Sequence, residues 1–67
     1  MKDSIQKGTR LVAGDQKVMV VERLGDLVWV RNVFPPSEEH PGVEAFGPVQ
    51  GADDLEDLIV FGWTISE

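Results

Sequence analysis

"AGDQKVMVVERLGDLVWVRNV", residues 13–33, decides the fold because it contains the dipeptide Gly-Asp twice. Gly14-Asp15 and Gly25-Asp26 are separated and followed by runs rich in apolar and β-branched residues, which favour strands. Gly-Asp suits a two-residue hairpin loop, since glycine adopts the positive φ that such loops require. The stretch therefore predicts three antiparallel strands joined by two tight hairpins.

The two loops also predict which residues face each other. The expected pairs are Ala13–Gln16 and Leu11–Val18 in the first hairpin, and Leu24–Leu27, Glu22–Trp29 and Val20–Arg31 in the second. This register puts Leu11, Ala13, Val18, Val20, Leu24, Leu27, Trp29 and Val33 on one face, and Val12, Met19, Val21, Val28, Val30 and Phe34 on the other. Neither face is cleanly polar, so we expect a strongly bent sheet in a closed barrel. Glu22 and Arg31 are expected to form a cross-strand ion pair.

A polar loop, a short strand and a helical turn are predicted next. The loop covers residues 35–42, and its His40-Pro41-Gly42 stretch predicts a turn. "VEAF", residues 43–46, is a short strand that Gly47-Pro48 ends. In "DDLEDL", residues 53–58, Asp53 is expected to cap one helical turn, with Glu56 three residues on, as in a capping box.

The last segment, "LIVFGWTI", has the period-two alternation of a strand with one apolar face. Ile59, Phe61, Trp63 and Ile65 make up that face, and we expect them to line the core. Gly62 suggests a bulge in this strand, or a close approach of another backbone.

The order of meander, polar loop, helical turn and final strand, with the opening "KGTRLVAGDQKVMVVERLGDLVWVRNV", resembles the small SH3-like barrels. The translation-type and chromatin-type members of that superfamily are the most similar. The resemblance implies an all-β domain of about five antiparallel strands, with one short helical turn before the last strand. It would be a single domain over residues 1–67, with a flexible polar start at residues 1–7.

Composition excludes several classes of protein. The chain has no cysteine, which excludes disulfides and thiolate metal sites, and its one histidine is too few for a typical zinc site. No apolar stretch is long enough to span a membrane, and "MKDSIQKG" does not look like a signal peptide. We therefore expect a cytoplasmic protein without cofactor or metal, and its small size favours a bacterial or phage accessory protein.

Charge is divided unequally along the chain. All six basic residues lie in the first 31 positions with four acids, for a net charge of +2, whereas the rest carries eight acids and no lysine or arginine, for −8. An acidic half favours a partner with a basic surface. We predict a non-enzymatic module that binds another protein through the 35–42 loop and the 53–57 turn. The expected contact residues are Glu38, Glu39, His40, Glu44, Asp53, Asp54, Glu56 and Asp57, with Trp29 as an aromatic contact or a core residue.

Two other functions remain open at this point. Arg10, Lys17, Arg23 and Arg31 of the meander form an alternative patch that would bind nucleic acid. In the third interpretation the acidic half imitates nucleic-acid phosphates and inhibits a basic protein. A homo-oligomer is compatible with all three.

An enzyme is the least favoured class. His40 has Glu38 and Glu39 beside it but no nucleophile, and the acids at 53–57 lack the spacing of a calcium loop. "SEEHPGVEAFGPV" is similar to a segment of the plasmid-borne dihydrofolate reductases. Residues 43–46 lack the glutamine and tyrosine of that family's site, so no catalytic residue is carried over.

Overall fold

Residues 2–66, described by a computed structural model, form a five-stranded antiparallel sheet with the order β4-β3-β2-β1-β5. The elements are a 3-10 turn at Lys2–Ser4, β1 at Arg10–Ala13, β2 at Gln16–Leu24, β3 at Leu27–Phe34, β4 at Ala45–Asp54, α1 at Leu55–Val60 and β5 at Thr64–Ile65. The predicted all-β class, with five strands and a short helix before the last, is confirmed. The barrel is not closed, because β4 and β5 are the two edges of the sheet within residues 2–66.

Both Gly-Asp pairs form the predicted hairpin loops. Ala13 lies opposite Gln16 and Leu24 opposite Leu27, so each loop has two residues. Gly14 has φ 59° and Gly25 has φ 61°, whereas no non-glycine residue among residues 2–66 has a positive φ. Positive φ at the first loop position alone is the pattern of a type II′ turn, which matches the twist of the two strands.

A β-bulge in β2 corrects the predicted second hairpin. Glu22 lies opposite Trp29 as expected, but Val20 lies opposite Val30 and not Arg31, because Val21 is an extra residue. An extra residue exchanges the two faces of a strand beyond it.

The exchange changes which residues are buried. Val28 and Val30 lie on the face that holds Leu11, Val18 and Val20, which we call the core face. Leu24, Leu27 and Trp29, predicted for that face, lie on the opposite, outer face. Their predicted placement was therefore wrong, and Leu24 and Leu27 are exposed.

The predicted ion pair of Glu22 and Arg31 was also wrong. Within residues 2–66 the two side chains form no ion pair, and Arg31 Nε donates to the carbonyl oxygen of Gly47 at 2.9 Å.

The core is covered by the start of the chain and by α1. Ile5 and Leu55 are buried against the valines of the sheet, and Leu58, Trp63 and Ile65 pack around them. The start of the chain is held in place by Arg23, whose Nη1 donates to the Ile5 carbonyl oxygen at 2.8 Å. The predicted flexible segment 1–7 begins at Met1, which lies outside the described residues.

The predicted strand at 58–65 was wrong over most of its length. Residues 55–60 are helical, and only Thr64–Ile65 pair with β1. Phe61, predicted for the core, is exposed, while Ile59, Trp63 and Ile65 are half-buried. Leu55 and Leu58 face the core with helical spacing, and this α-helical period competes with the period of two in the same residues.

Strand β4 is longer and less regular than predicted. It continues through Gly47-Pro48, where the sequence predicts an end, and its register against β3 shifts twice. Pro48 is compatible with the strand because β4 is an edge strand, where a missing N–H need not leave a ladder bond unmade.

The loop between β3 and β4 has the predicted turn. The Val43 N–H donates to the His40 carbonyl oxygen at 3.3 Å, which closes a turn around Pro41 and Gly42.

Candidate interaction surface at helix α1

The two acidic segments predicted as one surface lie at opposite ends of β4. The loop precedes Ala45, and α1 begins directly after Asp54. Ten strand residues span roughly 30 Å, in a molecule whose longest dimension is 38 Å. The two segments are therefore separate surfaces.

At the loop end, Glu38, Glu39 and His40 are exposed, whereas Glu44 is half-buried. Glu44 Oε1 lies 2.7 Å from Arg10 Nη1 of β1. This ion pair fastens the residue before β4 to β1 across the outer face. Glu44 is thus engaged within the molecule, while the other three side chains are open to water.

Side chains and backbone together fix where α1 begins. The Asp54 carboxylate accepts a hydrogen bond from the Glu56 N–H at 2.8 Å, so Asp54, and not the predicted Asp53, is the N-cap. Asp53 lies within β4 opposite Val28. The Leu55 N–H donates to the Asp26 carbonyl oxygen at 2.8 Å, and the Leu55 side chain is fully buried. The helix is therefore attached to the β2–β3 hairpin at its first residue.

The solvent side of α1 carries both acidic and large apolar side chains. Glu56 and Asp57 are exposed in the first turn, and Val60 and Phe61 are 81% and 78% exposed. Residues three and four apart in a helix are neighbours, so the two acids adjoin the two apolar side chains. We call these four residues the α1 surface.

The end of α1 is held by a Schellman motif. The Gly62 N–H donates to the Ile59 carbonyl oxygen at 3.1 Å and the Trp63 N–H donates to the Leu58 carbonyl oxygen at 3.0 Å. Trp63 and Leu58, the two positions whose hydrophobic contact often accompanies this motif, both pack on the core. Phe61 precedes Gly62 in this motif, so its exposed ring is carried by an ordered backbone.

Lys2 connects the start of the chain to the α1 surface. Its Nζ lies 2.9 Å from Glu56 Oε1 and 3.5 Å from Asp26 Oδ1. The hydrogen bond to Glu56 and the attraction of Asp26 raise the pKa of Lys2. The contact leaves Asp57 as the α1-surface acid without a cation nearby within residues 2–66.

Three of the four residues predicted as a nucleic-acid patch bind other parts of the molecule. Arg10 pairs with Glu44, Arg23 donates to carbonyl oxygens of the N-terminal segment and Arg31 donates to Gly47. The Arg31 guanidinium also lies 5.3 Å from the centroid of the Phe46 ring. Lys17, half-buried, is the fourth.

Trp29, predicted as a contact or core residue, is half-buried on the outer face. Its ring lies against Gly51 of β4, so closely that a Cβ at Gly51 would be 2.2 Å from Trp29 Cδ1. The ring thus contacts the edge strand at Gly51.

Sequence reasoning missed Val60 and Phe61 as surface residues, because it placed them in a core strand. A signal for the helix was present: an Asp54 cap, leucines at 55 and 58, and Gly62 just past the end.

Within residues 2–66 no three acidic or histidine side chains come together in a way that would hold a metal ion. Among residues 2–66 the α-helix α1 has six residues, and no helix there has the length and apolar character needed to cross a membrane. Comparisons with protein-family models, with curated proteins and with solved structures gave no match to this chain.

Proposed function

We propose that this protein is a non-enzymatic binding module whose α1 surface binds a protein partner. The partner's site would be an apolar pocket rimmed by lysine or arginine. The observation that carries the proposal is the exposure of Val60 and Phe61 on an ordered turn beside Glu56 and Asp57.

The exposure of Val60 and Phe61 indicates a binding role because it does not stabilise the fold. In a chain of this size the core is small, and two adjacent large apolar side chains left in water contribute nothing to it. Such side chains bind well when they enter a partner's pocket, since an aromatic anchor on a rigid turn loses little conformational entropy. The neighbouring carboxylates would accelerate association with a basic protein and select against acidic ones.

The contacts of the basic residues favour a protein partner over nucleic acid. Arg10 and Arg23 hold other parts of the fold, so a phosphate backbone would have to compete with those contacts. A mimic of nucleic acid needs a continuous row of negative charge, and β4 separates the acids of the loop from those of α1. These observations support the α1 surface and not the two alternatives.

The test begins with capture of partners by the full chain after nuclease treatment, followed by affinity measurements on a captured partner. Phe61→Ser and Val60→Ser are expected to weaken binding, roughly thirtyfold for an anchor residue. Val43→Ser is the matched control, because Val43 is 63% exposed in the loop at the other end of the molecule. Equal losses for Val43→Ser, or unchanged affinity for both α1 variants, would refute the proposal.

Binding is also expected to weaken with added salt, because Asp57 and Glu56 would face cations of the partner. A parallel titration with duplex DNA and duplex RNA, whose bases are stacked and paired, separates the alternatives. We expect no saturable binding there. Salt-sensitive DNA binding that Lys17→Ala abolishes would instead establish the basic-patch function.

A further inference from the structure

A second surface lies at the end of the sheet opposite α1. It is a depression of about 410 Å³ whose lining includes the amide side chains of Gln16, Asn32 and Gln50. The ring of Phe34, which is 49% exposed, also lines it. Gln16, Phe34 and Gln50 are all exposed in this region.

The three amides come from three adjacent strands, β2, β3 and β4. Asn32 lies opposite Val18 and Gln50 opposite Val30, which places both on the core face. Within residues 2–66 none of the three amide groups makes a side-chain hydrogen bond. Each therefore has a donor and an acceptor available to a ligand.

Gly47 of β4 lies beside both Phe34 and Asn32. A Cβ at position 47 would lie 3.5 Å from both Asn32 Cβ and Phe34 Cε2, and Gly47 itself is buried. Part of the Phe34 ring therefore packs against the β4 backbone, while the side chain stays 49% exposed.

The charges at the rim favour a neutral ligand. Asp15 and Lys17 both line the depression, and their opposite charges offset each other. A row of amides beside an aromatic ring suits a flat ligand that offers a donor next to an acceptor. The adenine base has this pattern, with its N6 amino group beside N7, and Asn and Gln are the side chains that pair with it. Aromatic rings stack on such bases.

We propose that this depression binds an adenine base. The amide of Asn32 or Gln50 accepts from N6 and donates to N7, while Phe34 stacks on the ring. The volume of the depression lies within the range of small-molecule sites in proteins.

The test uses adenosine and the side-chain amide signals of the full, ¹⁵N-labelled chain. The chain has four side-chain amides, Gln6, Gln16, Asn32 and Gln50, and only Gln6 lies outside the depression. Adenosine is expected to shift the other three saturably and to leave Gln6 unchanged. No saturable shift at millimolar adenosine, or an equal shift of Gln6, would overturn the proposal.

Ligand and protein variants then test the recognition. Inosine has an acceptor where adenosine has the N6 donor, and it should bind roughly tenfold more weakly. Gln50→Met and Phe34→Leu should each weaken adenosine binding, with Gln6→Met as the matched control. Equal binding of inosine, or an unchanged affinity in both variants of the depression, would show that the amides do not read the base.

Discussion

The meander β1–β3 and the edge strand β4 are held by different physical means. The meander contributes Leu11 and five valines to the buried set, whereas in the ten residues of β4 only Gly47 is buried. β4 nevertheless pairs with β3 along most of its length, with two shifts of register. The difference teaches that burial of apolar side chains specifies the meander, while backbone pairing and space for neighbouring rings specify the edge strand.

The largest effect is expected from a core deletion in the meander. Leu11→Ala should lower the free energy of unfolding by about 2–5 kcal/mol, because the Leu11 side chain is fully buried and a cavity would remain. Val49→Ala in β4 is the matched control, since Val49 is 54% exposed, and it should change stability by less than about 0.5 kcal/mol. Urea unfolding measures both. Similar losses of unfolding free energy in the two variants would show that β4 depends on apolar burial as much as the meander does.

Two glycines of β4 lie beside side chains of β3, and substituting each by alanine should lower stability to different extents. Gly51→Ala should cost about 1–3 kcal/mol of unfolding free energy, because its Cβ would overlap the Trp29 ring. At Gly47 the added Cβ would meet its nearest neighbours at 3.5 Å, an ordinary contact, so Gly47→Ala should cost less. Thermal unfolding compares them, and Trp29→Leu should partly rescue Gly51→Ala. A larger loss at Gly47, or no rescue, would contradict this account of the edge strand.

The junction of β4 with α1 depends on one carboxylate. Asp54→Ala should lower the free energy of unfolding by about 1 kcal/mol, since the Glu56 N–H would lose its acceptor. Asp53→Ala tests the neighbouring acid, which lies within β4 and makes no cap, and should cost less. Chemical denaturation of the two variants decides between them. A larger loss of stability for Asp53→Ala than for Asp54→Ala would show that Asp53 is the N-cap, as the sequence predicts.

The smallest effect concerns the pH dependence that Lys2 contributes. The Glu56 hydrogen bond raises the pKa of Lys2 above 10.5 in the folded state. The stabilisation of the folded state by charged Lys2 is therefore fully present below that pH. It is then lost as pH rises through the folded pKa. The melting temperature of the native chain should therefore exceed that of Lys2→Met near pH 9, and the difference should shrink toward pH 12. Lys7→Met, at an exposed position with no ion pair within residues 2–66, should show no such trend.

How much the sequence predicts differs between the same two regions. Gly14 and Gly25 locate both hairpins and their first residue pairs correctly, because a two-residue loop with a positive φ leaves little choice of register. The extra residue Val21 makes the predicted pairing wrong at Val20, after the correct pairs of Leu24 and Glu22. A bulge of one residue has no local signal in a run of valines, and yet it decides which face is buried.

The candidate site shows the same limit. The acids of 53–57 are recognisable in the sequence, but Val60 and Phe61 satisfy both a strand period and a short helix. The Asp54 cap and Gly62 indicate a helix, and packing of Leu55 and Leu58 on the sheet selects it over the strand, which exposes Phe61. The separation of the loop from α1 likewise depends on the full length of β4, which the sequence predicts to end at Gly47.

By itself the sequence determined the all-β class, the two hairpin corners, the turn at His40 and the unequal distribution of charge. These are local properties of glycine, proline and ionisable side chains, so neighbours along the chain suffice to specify them. Tertiary structure alone decided the bulge at Val21, the course of β4 through Pro48 and the exposure of Val60 and Phe61. Each of these depends on which apolar side chains can be buried together, and such burial depends on contacts between residues that are distant in the chain.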